Sequence, residues 1–304
     1  MKVMVTGGCG FIGSHIVDLL VDAGHTVAVV DNLSTGNLNN LNKNAKLYEA
    51  DIRSDAFREA VREFAHEVIY HEAAQIDIQK SIRESSYDAE VNVVGTVKVL
   101  EAVRDFGVKK IIYASSAAVY GNPEYLPVDE NHPKAPMSFY GISKFTPEFY
   151  IRTFSALYGF TFTILRYANV FGVRQDPKGE GGVVSIFTDK LLRGETPVIF
   201  GDGEQTRDFV YVGDIAGANL AALNAGDGEV INVSTCKSTT VNELVRLMTD
   251  GKVNPEYRDA RAGDILHSYL DNIKLKTILG YEPRYSLKEG LDLTMEYYRK
   301  KLFE

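Results

Sequence analysis

A phenol and an ammonium stand four residues apart in Tyr140-Gly141-Ile142-Ser143-Lys144, a spacing that puts both on one face of a helix. A tyrosine with the ordinary pKa of about 10 is a poor base at neutral pH, and a neighbouring cation lowers that value by stabilising the phenolate. Taken alone, such a pair is far more often a solvated feature of an amphipathic helix, so its surroundings decide. Ser115-Ser116-Ala117-Ala118-Val119-Tyr120-Gly121 follows a β-branched run. There Ser116 can hydrogen-bond a substrate hydroxyl, or the oxygen that becomes a ketone, or it can cap a turn.

A second constellation opens the chain. Gly7-Gly8-Cys9-Gly10-Phe11-Ile12-Gly13 meets the spacing of a dinucleotide turn, where glycines let the backbone approach a pyrophosphate and bring helix close to strand. The helix N-terminus then offers free N–H groups to the phosphates. Asp31 ends the next β-branched run, where a carboxylate can accept both adenosine ribose hydroxyls. An acid there repels a 2′-phosphate, and Asn32 to Asn39 contain no Lys or Arg, so NAD is expected rather than NADP. Asp51-Ile52 and His71-Glu72-Ala73-Ala74-Gln75 also close β-branched runs, at the sheet edge where open α/β sheets bind ligands. Asp51 reads equally as the N-cap of the following helix.

The elements that must position these groups alternate. Strands are expected at Lys2 to Thr6, Thr26 to Asp31, Lys46 to Ala50, Glu67 to His71, Lys110 to Ala114 and Thr161 to Arg166. Helices are expected at Phe11 to Ala23, Ala56 to Phe64, Tyr87 to Phe106 and Phe139 to Tyr158, with Gly24, Gly107 and Gly159 as C-caps. That pattern predicts an α/β fold, a Rossmann-type doubly wound parallel sheet over residues 1–166. Residues 167–304 read as a smaller C-terminal α/β substrate domain with segments that can cross back. It has a glycine-rich loop at Gly179 to Gly182, a turn at Gly201-Asp202-Gly203, and helices at Val241 to Thr249 and Leu287 to Leu302.

Composition limits the rest. The 304 residues are 45% hydrophobic and 24% charged with 9 Pro, which excludes disordered, collagenous and coiled-coil classes. A net charge of −8 gives no field for nucleic acid or an anionic membrane. Two distant cysteines, Cys9 and Cys236, exclude a disulfide framework and a cysteine-cluster zinc site, and no metal is expected. A reducing cytoplasm fits. No leader pattern precedes Val3, and no stretch reaches the roughly 18 apolar residues of a membrane span, so an unexported chain is expected.

These motifs resemble the extended short-chain dehydrogenase/reductase family and, within it, the UDP-glucose 4-epimerases. The likeness covers Thr6 to Ser14, Asp31 to Gly36, Ala73-Ala74-Gln75, Asn92 with Gly95-Thr96, Ser115 to Gly121, Tyr140 to Lys144, Arg166 to Gly172, Phe200 to Asp214 and Arg261 to Asp264. It implies that Tyr140 takes the sugar 4-hydroxyl proton while C4 gives hydride to NAD, that Lys144 binds the nicotinamide ribose and lowers the Tyr140 pKa, and that Ser116 orients the 4-oxygen. Gly7, Gly10, Phe11, Ile12, Gly13, Asp31, Asn32, Asp51, Ile52, Ala73, Ala74, Gln75 and Asn92 would contact the cofactor. Arg207 and Arg261 would bind the substrate pyrophosphate through guanidinium forks, Asp264 the uridine ribose, Asn169 a diphosphate oxygen or sugar group, and Val183 and Phe200 would surround uracil. A homodimer through helices near Tyr87 to Phe106 and Phe139 to Tyr158 is also implied.

Related 4,6-dehydratases carry an Asp-Glu pair where this chain has Ala117-Ala118, and alanines move no protons, so epimerisation without elimination is expected. Ser268 stands where a bulky tyrosine would restrict the family to plain hexoses, and a small side chain leaves room for an acetamido group. UDP-N-acetylhexosamines are therefore expected beside UDP-glucose and UDP-galactose. The alternatives are a 4-epimerase of another nucleotide sugar, UDP-glucuronate among them, and a nonenzymatic NAD-binding regulator. Two positions depart from the family. Pro147 lies in the catalytic helix, where it removes a hydrogen bond and risks a kink, and Glu72 replaces an apolar residue and is expected to face solvent.

Overall fold

The computed structural model describes residues 1–177, 182–260 and 265–303. Five of its strands, β1 (Lys2–Thr6), β2 (Thr26–Asp31), β3 (Lys46–Glu49), β4 (Val68–His71) and β5 (Lys110–Ser116), alternate with helices α1 (Phe11–Asp22), α2 (Asp55–Phe64), α3 (Ile78–Arg83), α4 (Ser85–Ala89) and α5 (Gly95–Phe106). Helix α6 (Phe139–Tyr158) and strand β6 (Thr161–Tyr167) complete the first half. Between α4 and α5 the helix makes one wider π turn, Glu90–Val94, where the sequence had suggested an unbroken helix from Tyr87. Expected and observed strand ends agree to within two residues.

All strands of the main sheet are parallel, in the order β11-β6-β5-β4-β1-β2-β3. Strand β11 (Glu229–Val233) comes from the second half of the chain, as does α8 (Val212–Ala222), which packs on α1. Residues beyond 166 therefore help to build the first lobe. Parallel strands need both faces covered, and the pleat serves this by alternation. Val3 and Val5 pack with Ile16, Val17 and Leu20 of α1, while Met4 packs with Phe57 and Val61 of α2 and Val99 and Val103 of α5. Each such fully buried aliphatic side chain contributes about 1.5–3 kcal/mol.

The second lobe contains β7 (Asn169–Phe171), α7 (Val183–Leu192), β8 (Val198–Phe200), β9 (Thr206–Arg207) and β10 (Phe209–Tyr211), then β12 (Thr239–Thr240), α9 (Val241–Thr249), β13 (Glu256–Arg258) and α11 (Leu287–Phe303), whereas α10 (Ile273–Thr277) returns to the first lobe and packs on β11. Phe171, Phe187, Phe209, Leu244 and Leu291 form its core. Among the described residues no helix is long and apolar enough to cross a membrane.

Candidate active site

The strand order reverses between β1 and β4, and a crevice opens there at the carboxyl ends of the strands. This cleft of about 330 Å³ is lined by Gly7, Gly10 to Gly13, Asp31, Asn32, Asp51, Ile52 and Glu72 to Gln75, and at its other end by Tyr140, Lys144 and Tyr167. All the expected cofactor residues except Asn92 thus lie on one wall system. Asn92 sits behind it: its Oδ1 accepts the Gln75 N–H at 2.8 Å, and its Nδ2 donates to Gln75 O and to Ser143 Oγ. It fixes Gln75 and clips α6 to the π turn.

The glycine turn has little room for side chains. Gly7 has φ +71°, and a Cβ on Gly13 would come within 2.2 Å of the Gly7 carbonyl oxygen. Helix α1 has no side-chain cap, so its first N–H groups remain available to an anion. Asp31 is oriented by two backbone donors, Cys9 N–H at 2.9 Å and Leu33 N–H at 2.8 Å. Burial raises its pKa above the ordinary carboxyl range, against the pull of those donors. The cradle, the oriented acid and the uncapped helix fit a dinucleotide. Asp51 is not an N-cap: Ser54 caps α2, and Asp51 pairs with Arg53 at 2.8 Å, which holds its carboxyl down at about 2.

Tyr140 and Lys144 lie one turn apart on α6. Ser138 caps this helix through Gly141 N–H, and it runs unbroken through Pro147. A Cβ on Gly141 would meet Ala118 O at 2.7 Å, so glycine lets α6 approach the turn that carries Ser116. Lys144 is 4% exposed with its ammonium 4.7 Å above the Tyr113 ring. Burial lowers its pKa, opposed by Glu72, Asp88 and Glu148. Ser116 ends β5 and its Oγ accepts Ala118 N–H at 3.2 Å, so it caps the turn that α6 approaches at Gly141, while Ser115 and not Ser116 lines the cleft. Its neighbour Ser115 donates to Glu148.

Glu72 is half-buried and lines the cleft instead of pointing out to solvent. Its Oε1 accepts the Tyr167 hydroxyl at 2.9 Å, and burial pushes its pKa above the usual carboxyl range.

In the second lobe Asn169 begins β7, Val183 opens α7, Phe200 ends β8 and Arg207 lies on β9. Ser268 is half-buried beside Arg207, its N–H bonded to Thr206 O at 3.2 Å. Arg261, Asp264 and most of the Gly179 to Gly182 loop lie outside the described residues. Among the cleft residues that the sequence does not single out are Tyr167 at the end of β6, Lys80 on α3, and Tyr87 on α4, over whose ring the Lys80 ammonium sits at 4.3 Å. The only signal for Lys80 and Tyr87 was a position just beyond the β4 end.

Fold and site together define a dinucleotide-dependent enzyme of the doubly wound class, with a Tyr-Lys pair at the reacting end of its cleft. The chain belongs to the NAD dependent epimerase/dehydratase family, whose profile matches residues 3–234. The UDP-glucose 4-epimerase of Mycolicibacterium smegmatis is 42% identical over 312 residues, 99% of each chain. The Thermotoga maritima UDP-glucose 4-epimerase structure with UDP-glucose is 48% identical, with a TM-score of 0.96 over 99% of this chain and 100% of that one. The Thermus thermophilus UDP-glucose 4-epimerase in complex with NAD is 39% identical, with a TM-score of 0.93 over 98% and 99%.

Proposed function

We propose that this chain interconverts UDP-glucose and UDP-galactose by inverting C4. The observation that carries this is the meeting of Tyr140 and Lys144 with the glycine turn and Asp31 in one cleft, on a chain whose Ala117-Ala118 pair offers no acid or base for elimination. Bound NAD would take hydride from C4 and return it to the opposite face of the transient 4-keto sugar. Tyr140 accepts the 4-hydroxyl proton as that C–H bond breaks and gives it back when the C–H bond re-forms, so atoms and electrons balance over the cycle. The Lys144 ammonium favours the phenolate by charge, and Ser116 orients the 4-oxygen. Arg207, with Arg261 and Asp264, holds the nucleotide while the sugar turns, alongside Asn169, Val183 and Phe200. Ser268, small and next to Arg207, supports acceptance of N-acetylated sugars.

A homodimer and a cytoplasmic place in galactose metabolism belong to this proposal. Ile142, Phe149, Tyr150 and Leu157 form an exposed stripe on α6, near exposed Val94, and Cys9 and Cys236 are free thiols. The test is incubation of purified protein with UDP-galactose, followed by NMR of the anomeric and C4 protons. UDP-glucose should grow in to an equilibrium mixture with the wild type and not with Tyr140→Phe. Binding of NAD without turnover would reject hexoses and bring uronates forward, then a nonenzymatic role.

A further inference from the structure

Glu72 is an acid in the cleft that no step above employs. It follows His71 at the end of β4 and lines the same end as Tyr140, Lys144 and Tyr167. Its neighbours fix its hydrogen-bond polarity. Asn219 Nδ2 donates to Ile215 O at 2.9 Å and to the Tyr167 hydroxyl oxygen at 2.8 Å, so the Tyr167 proton is directed to Glu72 Oε1. Oε1 is therefore an acceptor.

The charged groups around it are few. Lys144 on α6 attracts it, with Asp88 of α4 and Glu148 of α6 acting on Lys144 from behind. His71, bonded to Thr6 and Thr96, is kept neutral by burial, and Tyr70, Tyr113, Tyr140 and Tyr167 contribute phenols. Glu72 is the carboxyl group that meets the reacting end directly.

We propose that the Glu72 carboxylate tunes the charge of this end of the cleft, so that the protein holds oxidised NAD, with its cationic nicotinamide ring, in preference to the uncharged ring of NADH. The inference rests on the NAD-dependent function proposed above. A fixed anion in a site sheltered from water stabilises a cation there more than a neutral group. An enzyme that must end each cycle with its cofactor oxidised is served by that bias. Glu72 is on this account a positioning residue, because it acts through the cofactor's charge rather than on the sugar.

The test compares wild type, Glu72→Gln and Glu72→Leu at mildly alkaline pH, above the raised Glu72 pKa. Each protein is equilibrated with an equimolar mixture of NAD and NADH and freed of unbound nucleotide, and the two bound forms are then released and quantified. Glutamine keeps an acceptor for Tyr167 and loses only the charge, so both variants should lower the bound NAD-to-NADH ratio by about tenfold. An unchanged ratio in Glu72→Gln, or a shift in Glu72→Leu alone, overturns the proposal. Turnover of UDP-galactose is scored separately on wild type. A ratio shift without wild-type turnover rejects the epimerase function and leaves the Glu72 role standing, whereas turnover without a shift does the reverse. Failure of wild type to hold either dinucleotide overturns both.

Discussion

Removing one member of the buried Arg166–Glu148 pair should cost far more than removing both. Each side chain is only 2% exposed, and the contact is a two-pronged fork, Nη2 to Oε2 at 2.6 Å and Nε to Oε1 at 3.0 Å. Ser115 donates to Glu148 at 2.7 Å, and the Tyr120 hydroxyl accepts from Arg166 at 2.9 Å while donating to Asn232. The pair ties α6, one turn beyond Lys144, to the ends of β5 and β6. Glu148→Leu or Arg166→Met leaves an uncompensated charge in the core, which costs about 3–5 kcal/mol. The double variant leaves the Ser115 and Tyr120 groups short of a partner, at about 1 kcal/mol each, and gives up one long contact at 3.5 Å to the Glu130 carbonyl. Its loss should be about 2 kcal/mol, well below the sum of the single losses. Urea unfolding at fixed, saturating NAD checks this, because bound ligand adds its own stability. Additive losses, or single losses below about 1 kcal/mol, would refute the reasoning.

Gly13→Ala should abolish dinucleotide binding, read by calorimetry, because its Cβ would lie 2.2 Å from backbone; Gly24→Ala, with φ +81° and open space around it, should cost about 1–2 kcal/mol and leave binding intact. His66 is 4% exposed, has no partner for either ring nitrogen among the described residues, and burial lowers its pKa to about 4. The unfolded chain therefore binds the extra proton first, so the His66 contribution is complete above about pH 6.5 and is lost as pH falls towards 4, at most about 3 kcal/mol. His66→Phe should flatten the wild-type urea midpoint over that window, and parallel pH curves would contradict it. Ser268→Tyr should remove turnover of UDP-N-acetylgalactosamine and spare UDP-galactose; equal loss of both would reject its role.

Much of the fold was legible because short β-branched runs ending in Gly, Asp or His mark parallel strands whose carboxyl ends carry ligand residues. β1, β2 and α6 have the boundaries that the apolar pattern indicated, and the Gly7 to Gly13 turn and Asp31 meet as expected. The return of β11 to the main sheet was not legible in detail, because its pairing with β6 is set by tertiary packing. The π turn was hidden for a similar reason, since Asn92 holds Gln75 and Ser143 from elements distant in sequence. The inward Glu72 was missed because its hydrogen-bond partner, Tyr167, lies 95 residues away. A local window sees only an acid at a strand end.

In the proposed inversion the same hydrogen leaves C4 and returns to it, with Tyr140 moving only the hydroxyl proton. UDP-galactose deuterated at C4, incubated with the protein in ordinary water, tests this directly. The UDP-glucose formed should keep its deuterium at C4, read by NMR and mass. Loss of the label to solvent during inversion would mean that C4 exchanges a proton instead, and would contradict the account.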